Sequence, residues 1–232
     1  MKTSMALKPL AFALAALMAV AAQAGGYHAP TTAAATTQDG QSNHGNVVLN
    51  DKTKNNASAN DSYNNISGVA NGNVLSGDNN QGKNDVAIVS GDADFVFAAT
   101  GTAQSNTGNF VANSGTRNNA SLNDSGNHAS GVIQLNAASG TSNQGSNSVA
   151  IASGNGDSGA AAVTGVQDVS GNLTLNLASG HGWGSTKPVV NNASVNNSMN
   201  YSSGVSNSNV LSGSNNQGQN NVATVSYTHL TL

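Results

Sequence analysis

Side-chain amides are the groups in this sequence whose types and spacing point to chemistry. Four sets of three amides stand at equivalent positions of a repeated block, namely Asn55, Asn118 and Asn191; Asn64, Asn127 and Asn200; Asn80, Asn143 and Asn216; and Gln81, Gln144 and Gln217. An amide both donates and accepts hydrogen bonds. If the copies stack in parallel register, each amide can donate to its equivalent, as in cross-β assemblies with a repeat of about 4.7–4.8 Å. The predicted chemistry is self-association, and we call such a column of equivalent amides an amide ladder.

Catalytic arrangements are not indicated by the other polar residues. Asp92, Asp94 and Asp157 offer no paired carboxylates for general acid and base catalysis in a pocket. The serines show no G-x-S-x-G motif of the kind that presents a nucleophile. We therefore predict that the protein is not an enzyme.

Metal and cofactor sites are not indicated either. The sequence has no cysteine, so neither a disulfide framework nor a thiolate metal site is available. The stretch Gly154–Asp157 approaches the glycine-rich repeat of calcium-binding solenoids, but only once. The five histidines share no repeat position and no i, i+4 spacing, which favours surface histidines over metal or haem ligands; they are His28, His44, His128, His181 and His229. We predict no cofactor.

The composition argues against an ordinary globular domain. Charged residues make up 7% of the chain and aromatic residues 4%, whereas a soluble domain has about 25% charged residues. Much of the apolar content is alanine, which buries little area at about 25 cal/mol per Å², while ordering each residue costs roughly 1–2 kcal/mol. A monomer that is disordered before assembly is therefore left open. The net charge of −3, with scattered Lys and Arg, lacks the basic stripe that binds nucleic acid.

The elements that must position the amides are repeated modules. The block Asn118–Gly154 recurs at Asn55–Gly91 and again from Asn191, without a gap through Ala87 and with identity at more than half of the positions. A preceding segment starts at Gln41, Gln104 and Gln167, so the step between copies is 63 residues. The predicted modules are 41–103, 104–166 and 167–226. The third carries a ten-residue insertion, His181–Val190, which Pro188 predicts to be a loop.

Each module is predicted to contain four short strands. In the first module they are Val47–Asn50, Ala57–Asp61, Gly68–Leu75 and Val86–Ser90, and a fifth, Phe95–Ala99, is predicted in the first spacer only. Asn-rich and Gly-rich turns separate them. The predicted fold is all-β, a β-solenoid-like or cross-β stack of short strands. A disordered secreted linker is the alternative, but the repeated apolar positions favour ordered stacking, among them Val69, Val132 and Val205.

The N-terminal segment predicts export. Met1–Ala24 has the pattern of a signal peptide, with Lys2 and Lys8 before the apolar run Leu10–Val20 and an Ala-x-Ala cleavage site. That run is shorter than the roughly 20 residues of a membrane-spanning helix. Residues 25–40 (GGYHAPTTAAATTQDG) show no apolar periodicity and are predicted to be a flexible N-terminal arm.

The C-terminal residues depart from the repeat. Val225–Leu232 (VSYTHLTL) matches the translation of an adapter used in DNA sequencing. We therefore expect residues 227–232 to be a non-native tail and the natural chain to continue beyond about Ser226.

The leader and the repeats together resemble a known family. Met5–Gly25 (MALKPLAFALAALMAVAAQAG) and the repeated N-N-A-S-x-N-[DN]-S, S-G-V and G-x-x-N-Q-G-x-N motifs are similar to those of the functional amyloid (Fap) fibre subunits of pseudomonads, most of all the C-type major subunit. Two departures are the Asn-Gln-Gly in place of a Gln-Gln pair and the absence of a Cys-x-x-Cys. The resemblance implies export through an outer-membrane pore and assembly with minor fibre subunits.

The sequence thus predicts a secreted structural subunit that polymerises with itself into extracellular fibres at the cell surface, for biofilm matrix and adhesion. The alternative is a monomeric β-solenoid adhesin that binds its ligand through His181–Val190. A haem or metal-uptake protein is a more distant alternative.

Overall fold

The computed structural model describes residues 31–155, 158–181 and 185–227, and their regular secondary structure is all β-strand. These residues contain no helix that could cross a membrane. The signal peptide predicted at Met1–Ala24 lies outside them, as do residues 228–232 of the predicted tail.

The strands form three successive layers of five. The first layer holds β1 (Thr32–His44), β2 (Val47–Asp51), β3 (Lys54–Asn60), β4 (Ser67–Asp78) and β5 (Gln81–Gly91). The second holds β6 (Phe95–Thr107), β7 (Phe110–Ser114), β8 (Arg117–Asn123), β9 (Ser130–Thr141) and β10 (Gln144–Gly154). The third holds β11 (Ser158–Ser170), β12 (Leu173–Leu177), β15 (Val190–Asn196), β16 (Ser203–Ser214) and β17 (Gln217–Tyr227), with the short β13 (Ser179–His181) and β14 (Ser185–Lys187) between β12 and β15.

Equivalent strands of the three layers pair in parallel and in register. They make five three-stranded sheets, which we number 1 to 5 by the order of their strands within a layer: β1-β6-β11, β2-β7-β12, β3-β8-β15, β4-β9-β16 and β5-β10-β17. Gln41 pairs with Gln104, and Gln104 with Gln167, so each residue meets the residue 63 positions further on. Past the insertion, Asn118 pairs with Asn191 and the register is kept. The fold is a solenoid-like stack of short strands.

Within each layer the chain folds back on itself, so that sheet 5 lies between sheets 1 and 4, and sheet 4 lies between sheets 3 and 5. Two apolar clusters, made mostly of small residues, fill the spaces between the outer pairs of sheets. The cluster between sheets 3 and 4 includes Leu122, Ile133 and Leu135, and the one between sheets 1 and 5 includes Val89 and Val96. The space between sheets 4 and 5 is polar instead. The middle layer is the most buried, since it has a layer on either side: β9 is almost continuously buried whereas β4 is largely exposed.

The spacer strand occurs in every layer, which corrects two predictions. The prediction of a fifth strand in the first spacer only is wrong, because β1 and β11 pair with β6 along their full length. The prediction of a flexible arm over 25–40 is wrong from Thr32 onward, where β1 begins. The local pattern of apolar residues did not predict β1, because its sequence, TAAATTQDGQSNH, has no large apolar side chain. Its backbone hydrogen bonds are satisfied by pairing with β6 of the neighbouring layer, which a local apolar pattern does not encode.

The turn between the fourth and fifth strands has the same backbone conformation at one position in all three layers. Asn79, Ser142 and Asn215 hold the left-handed conformation at φ of 56°, 57° and 58°, which Asn tolerates better than most residues. The insertion, predicted as the loop His181–Val190, is an antiparallel hairpin of β13 and β14. Val190 already belongs to the stack, where it pairs with Arg117.

Candidate functional site: amide ladders and open layer faces

The Gln81 set forms an amide ladder between sheets 1 and 5. Gln144 donates through Nε2 to Oε1 of Gln81 at 3.0 Å, and Gln217 donates to Gln144 at 3.1 Å. The second hydrogen of the Gln144 amide goes to the backbone oxygen of Asp168 at 3.3 Å. Gln144 is fully buried, Gln81 is buried, and Gln217 is exposed at the end of the stack. Both hydrogens of the middle amide are thus used, and its oxygen accepts from Gln217.

The Asn55 set forms a second ladder with the opposite direction of donation. Asn55 donates to Oδ1 of Asn118 at 2.9 Å, and Asn118 donates to Asn191 at 2.8 Å. Asn55 and Asn118 are buried and Asn191 is exposed. Here the first layer donates to the second, whereas in the Gln81 ladder the second donates to the first.

The other two predicted sets join the layers mainly through backbone. Asn127 accepts no amide from Asn64; instead its backbone N–H donates to Oδ1 of Asn64 at 2.7 Å, and Asn200 repeats this with Asn127 at 2.8 Å. The backbone N–H groups of Asn143 and Asn216 likewise donate to Oδ1 of Asn80 and Asn143, both at 3.1 Å, and only Asn216 adds an amide-to-amide bond, at 3.0 Å. These residues lie in turns, where the sheet pattern stops and N–H groups need another acceptor.

Further ladders were not among the predicted site residues. Amide-to-amide bonds join Gln41, Gln104 and Gln167; Asn50, Asn113 and Asn176; Asn56, Asn119 and Asn192; Asn60, Asn123 and Asn196; Asn73, Asn136 and Asn209; and Asn84, Asn147 and Asn220. The signal for all six was available, because each set holds the same amide in all three copies.

Two of these ladders interlock between sheets 4 and 5. Asn136 donates to Oδ1 of Asn73 at 2.9 Å and to Oδ1 of Asn84 at 2.8 Å, and Asn147 donates to Oδ1 of Asn136 at 3.0 Å. Asn136 and Asn147 are both buried. Satisfied polar groups stabilise one arrangement of a low-dielectric interior, whereas unsatisfied ones are costly. The network therefore penalises any slip in register between layers.

A charged cluster lies between sheets 1 and 5 in the first layer. Nζ of Lys83 contacts Oδ2 of Asp39 at 2.6 Å and Oδ1 of Asp85 at 2.8 Å. Oδ2 of Asp85 also accepts a hydrogen bond from Oγ1 of Thr102, in the second layer, at 2.7 Å. The hydrogen bond from Lys83 lowers the pKa of Asp39 below its ordinary value. Asp39 is thus ionised at neutral pH.

The first and third layers each present an open face. Each strand of these layers pairs on one side only, and an unpaired strand edge is a template for a further strand. The ladder directions make the two faces complementary. In the Gln81 ladder, an amide hydrogen of Gln81 at the first face and Oε1 of Gln217 at the third face have no ladder partner. In the Asn55 ladder, Oδ1 of Asn55 at the first face and the amide hydrogens of Asn191 at the third face have none. The arrangement can thus continue by adding layers to either end.

The remaining candidate residues take structural contacts in the part of the chain that the structure describes. His44 contacts Oγ1 of Thr107 at 2.9 Å, and His128 stacks on Tyr201. Asp94 accepts the backbone N–H of Thr31 at 2.7 Å. Across residues 31–155, 158–181 and 185–227, no group of three His, Asp or Glu could hold a metal ion. His28, His229 and Asp157 lie outside the described residues.

Two comparisons with known proteins point to the same family. The model of the functional amyloid protein FapB/FapC family matches residues 34–228. The functional amyloid subunit FapC of Pseudomonas aeruginosa is 41% identical over 194 residues, which cover 77% of this chain and 57% of that relative. The chain thus spans 57% of the length of the curated relative that it matches. No solved structure matches.

Proposed function

This chain belongs to the functional amyloid protein FapB/FapC family, and from that membership we propose that it is a structural subunit that polymerises into extracellular amyloid fibres. One observation carries the proposal. The parallel, in-register layers end in two open faces. Each amide ladder presents a donor at one face and an acceptor at the other, so the two faces are complementary.

Addition of a second copy continues the same register. The first layer of the incoming copy takes the position of a fourth layer, about 4.7–4.8 Å beyond the third. Gln81 of that copy then donates to Gln217, and Asn191 donates to Asn55 of the copy. Such a contact joins two different faces and does not close, so it generates a filament rather than a ring or dimer.

Burial favours this growth over an isolated chain. Val149, in the middle layer, is fully buried, whereas its equivalents Val86 and Val222 in the end layers are only partly buried. Each added copy turns an end layer into a middle layer. The small side chains and sparse charge that make a single layer weak are no obstacle to a stack, because layer contacts supply both backbone and side-chain hydrogen bonds.

The remaining steps of the proposal concern export and location. A leader with the pattern of a signal peptide supports secretion. By analogy with the family, we propose passage through an outer-membrane pore, assembly with minor fibre subunits at the cell surface, and a role in biofilm matrix and adhesion. We propose no catalytic activity and no cofactor.

The test is polymerisation of the purified chain from Gly25 onward. We expect a lag, then fibres that bind thioflavin T and give a meridional fibre reflection at about 4.7–4.8 Å. Preformed seeds should abolish the lag. A chain that stays monomeric for days at high concentration, with or without seeds, would contradict the proposal.

A further inference from the structure

Buried charge is confined to one layer of the described stack. Lys83 and Asp85 are its buried charged side chains, and both belong to the first layer, where they form the cluster with Asp39. The residues paired with the three charged positions in the second and third layers are uncharged: Thr102 and Gly165 at the Asp39 position, Ser146 and Gln219 at the Lys83 position, and Ser148 and Asn221 at the Asp85 position. At these three positions the first face therefore carries charged side chains, whereas the third face carries none.

The third layer carries an unsatisfied donor at the matching place. Nε2 of Gln219 is buried and has no hydrogen-bond partner. Its amide lies in the space that a side chain would occupy at Gly165, since a Cβ added there would overlap it. In the second layer Thr102 takes the place of Gly165 and the short Ser146 takes the place of Gln219, so no amide reaches this space, although Oγ of Ser146 is also buried without a partner. A buried donor without an acceptor costs free energy. An acceptor on a layer added at the third face would therefore stabilise this amide.

We propose that Gln219 of one copy donates to the carboxylate of Asp39 in the next copy, so that the junction between chains runs through the charged cluster. This inference rests on the proposed function. It makes Asp39, Lys83 and Gln219 the residues that distinguish the junction between chains from the junctions between layers.

The register supports this contact. Gly165 and Asp39 occupy the same position of their layers, so Asp39 of an added copy would stand one layer step, about 4.7–4.8 Å, above Gly165 and above the Gln219 amide. Oδ2 of Asp39 takes Lys83, and Oδ1 takes the backbone N–H of Gly40 at 2.7 Å. A carboxylate has about four acceptor positions, so it can take a further bond. The Asp39 side chain is 42% exposed, which leaves it accessible.

The proposal is tested by a double-mutant cycle on elongation. Gln219→Glu replaces the donor with a carboxylate beside Asp39 of the next copy. The Lys83 ammonium of that copy already pairs with the two carboxylates of Asp39 and Asp85 and would face a third. We expect the elongation rate on seeds of the same variant to fall roughly tenfold, and the added change Asp39→Asn to restore most of it. Lys187→Gln, at an exposed position of the hairpin and outside the layer contacts, is the control because it makes the net charge more negative by the same one unit, and it should change the rate less than about twofold.

The cycle isolates the junction between chains. Positions 39 and 219 lie in the first and third layers, with the whole second layer between them, so coupling within one chain is not expected. Equal rates for Gln219→Glu with and without Asp39→Asn, or a normal rate for Gln219→Glu alone, would overturn the proposal. Wild-type elongation in the same assay separates the two claims, since its absence would contradict the proposed function itself.

A second arm does not depend on the folding of newly added variant chains. Wild-type chains in one colour are offered to assembled Gln219→Glu seeds in another, and growth is imaged at each end. We expect one end, where the third layer presents the substituted side chain, to start growing later than on wild-type seeds, and the other end to be unaffected. Equal delay at both ends, or at neither, would overturn the proposal.

Discussion

Two hydrogen bonds between amides can have the same geometry and contribute very different free energies to the stability of the stack. Gln144 and Asn119 each bond to the equivalent amides above and below, at 2.7–3.1 Å. Gln144 is fully buried and Asn119 is partly exposed, with exposed partners. Water can replace a lost partner at Asn119 but not at Gln144. Burial, rather than the presence of a ladder, therefore decides how much an amide stabilises the stack.

Substitution by alanine at the two positions tests this difference. Gln144→Ala removes the hydrogen-bond partner of Gln81, Gln217 and the Asp168 carbonyl at a fully buried position, and should cost about 2–4 kcal/mol. Asn119→Ala removes an equivalent pair of bonds at the surface and should cost less than about 1 kcal/mol. Guanidinium dissolution of the assembled protein measures both. Equal midpoints for the two variants would contradict the role assigned to burial.

At the scale of the element, glycine bends let long strands follow the folded path of a layer. In β9, Gly131 and Gly140 have φ of 119° and 111°, which L side chains rarely adopt. The same bends occur at the equivalent positions of β4 and β16. A Cβ at Gly140 would overlap the carbonyl oxygen of Gly213 in the third layer. Strand bends and layer stacking thus depend on the same residues.

Gly140→Ala should disrupt the stack, because backbone strain and the clash with Gly213 act together. We expect a loss of roughly 2–4 kcal/mol and a longer lag in polymerisation. Gly91→Ala is the matched control, since a Cβ there meets nothing within 4 Å. Lag times and guanidinium midpoints measure both variants. A defect of similar size in Gly91→Ala would show that loss of glycine alone, rather than the bend, is responsible.

At the scale of the whole molecule, the layers keep their register on both sides of the insertion. Among the described residues of the insertion, β13 pairs with β14, and the register of the stack resumes at Val190. The equivalent connection of the second layer needs only Gly115 and Thr116 between β7 and β8. The hairpin is therefore an appendage of the third layer.

Replacement of residues 178–189 by Gly-Thr, the connection of the second layer, distinguishes fibre subunit from adhesin. We expect a polymerisation rate within about twofold of the wild type, because no layer contact is lost. The adhesin alternative predicts instead a monomer that melts cooperatively and loses ligand binding in this variant. Thioflavin kinetics and sedimentation decide between the two outcomes.

Repetition in the sequence is enough to predict the stack. The 63-residue step, lengthened to 73 residues past the insertion, gives the partner of each strand residue, because parallel in-register pairing only requires comparison of the chain with itself. Equal amides at equal positions, such as Gln81 and Gln144, followed from that comparison, as did the all-β class. The roles of Asn64 and Asn80 did not, since a side chain in a turn can bond either to its equivalent or to the neighbouring backbone.

Only the tertiary structure decided how the sheets of a layer pack on one another. That packing places sheet 5 between sheets 1 and 4, and so determines which amides are buried and which meet water. It also brings Asp39 to Lys83, and makes a strand of the polar segment Thr32–His44. No repeat or local periodicity encodes these contacts, because they join residues of different type and depend on the path of the chain within a layer.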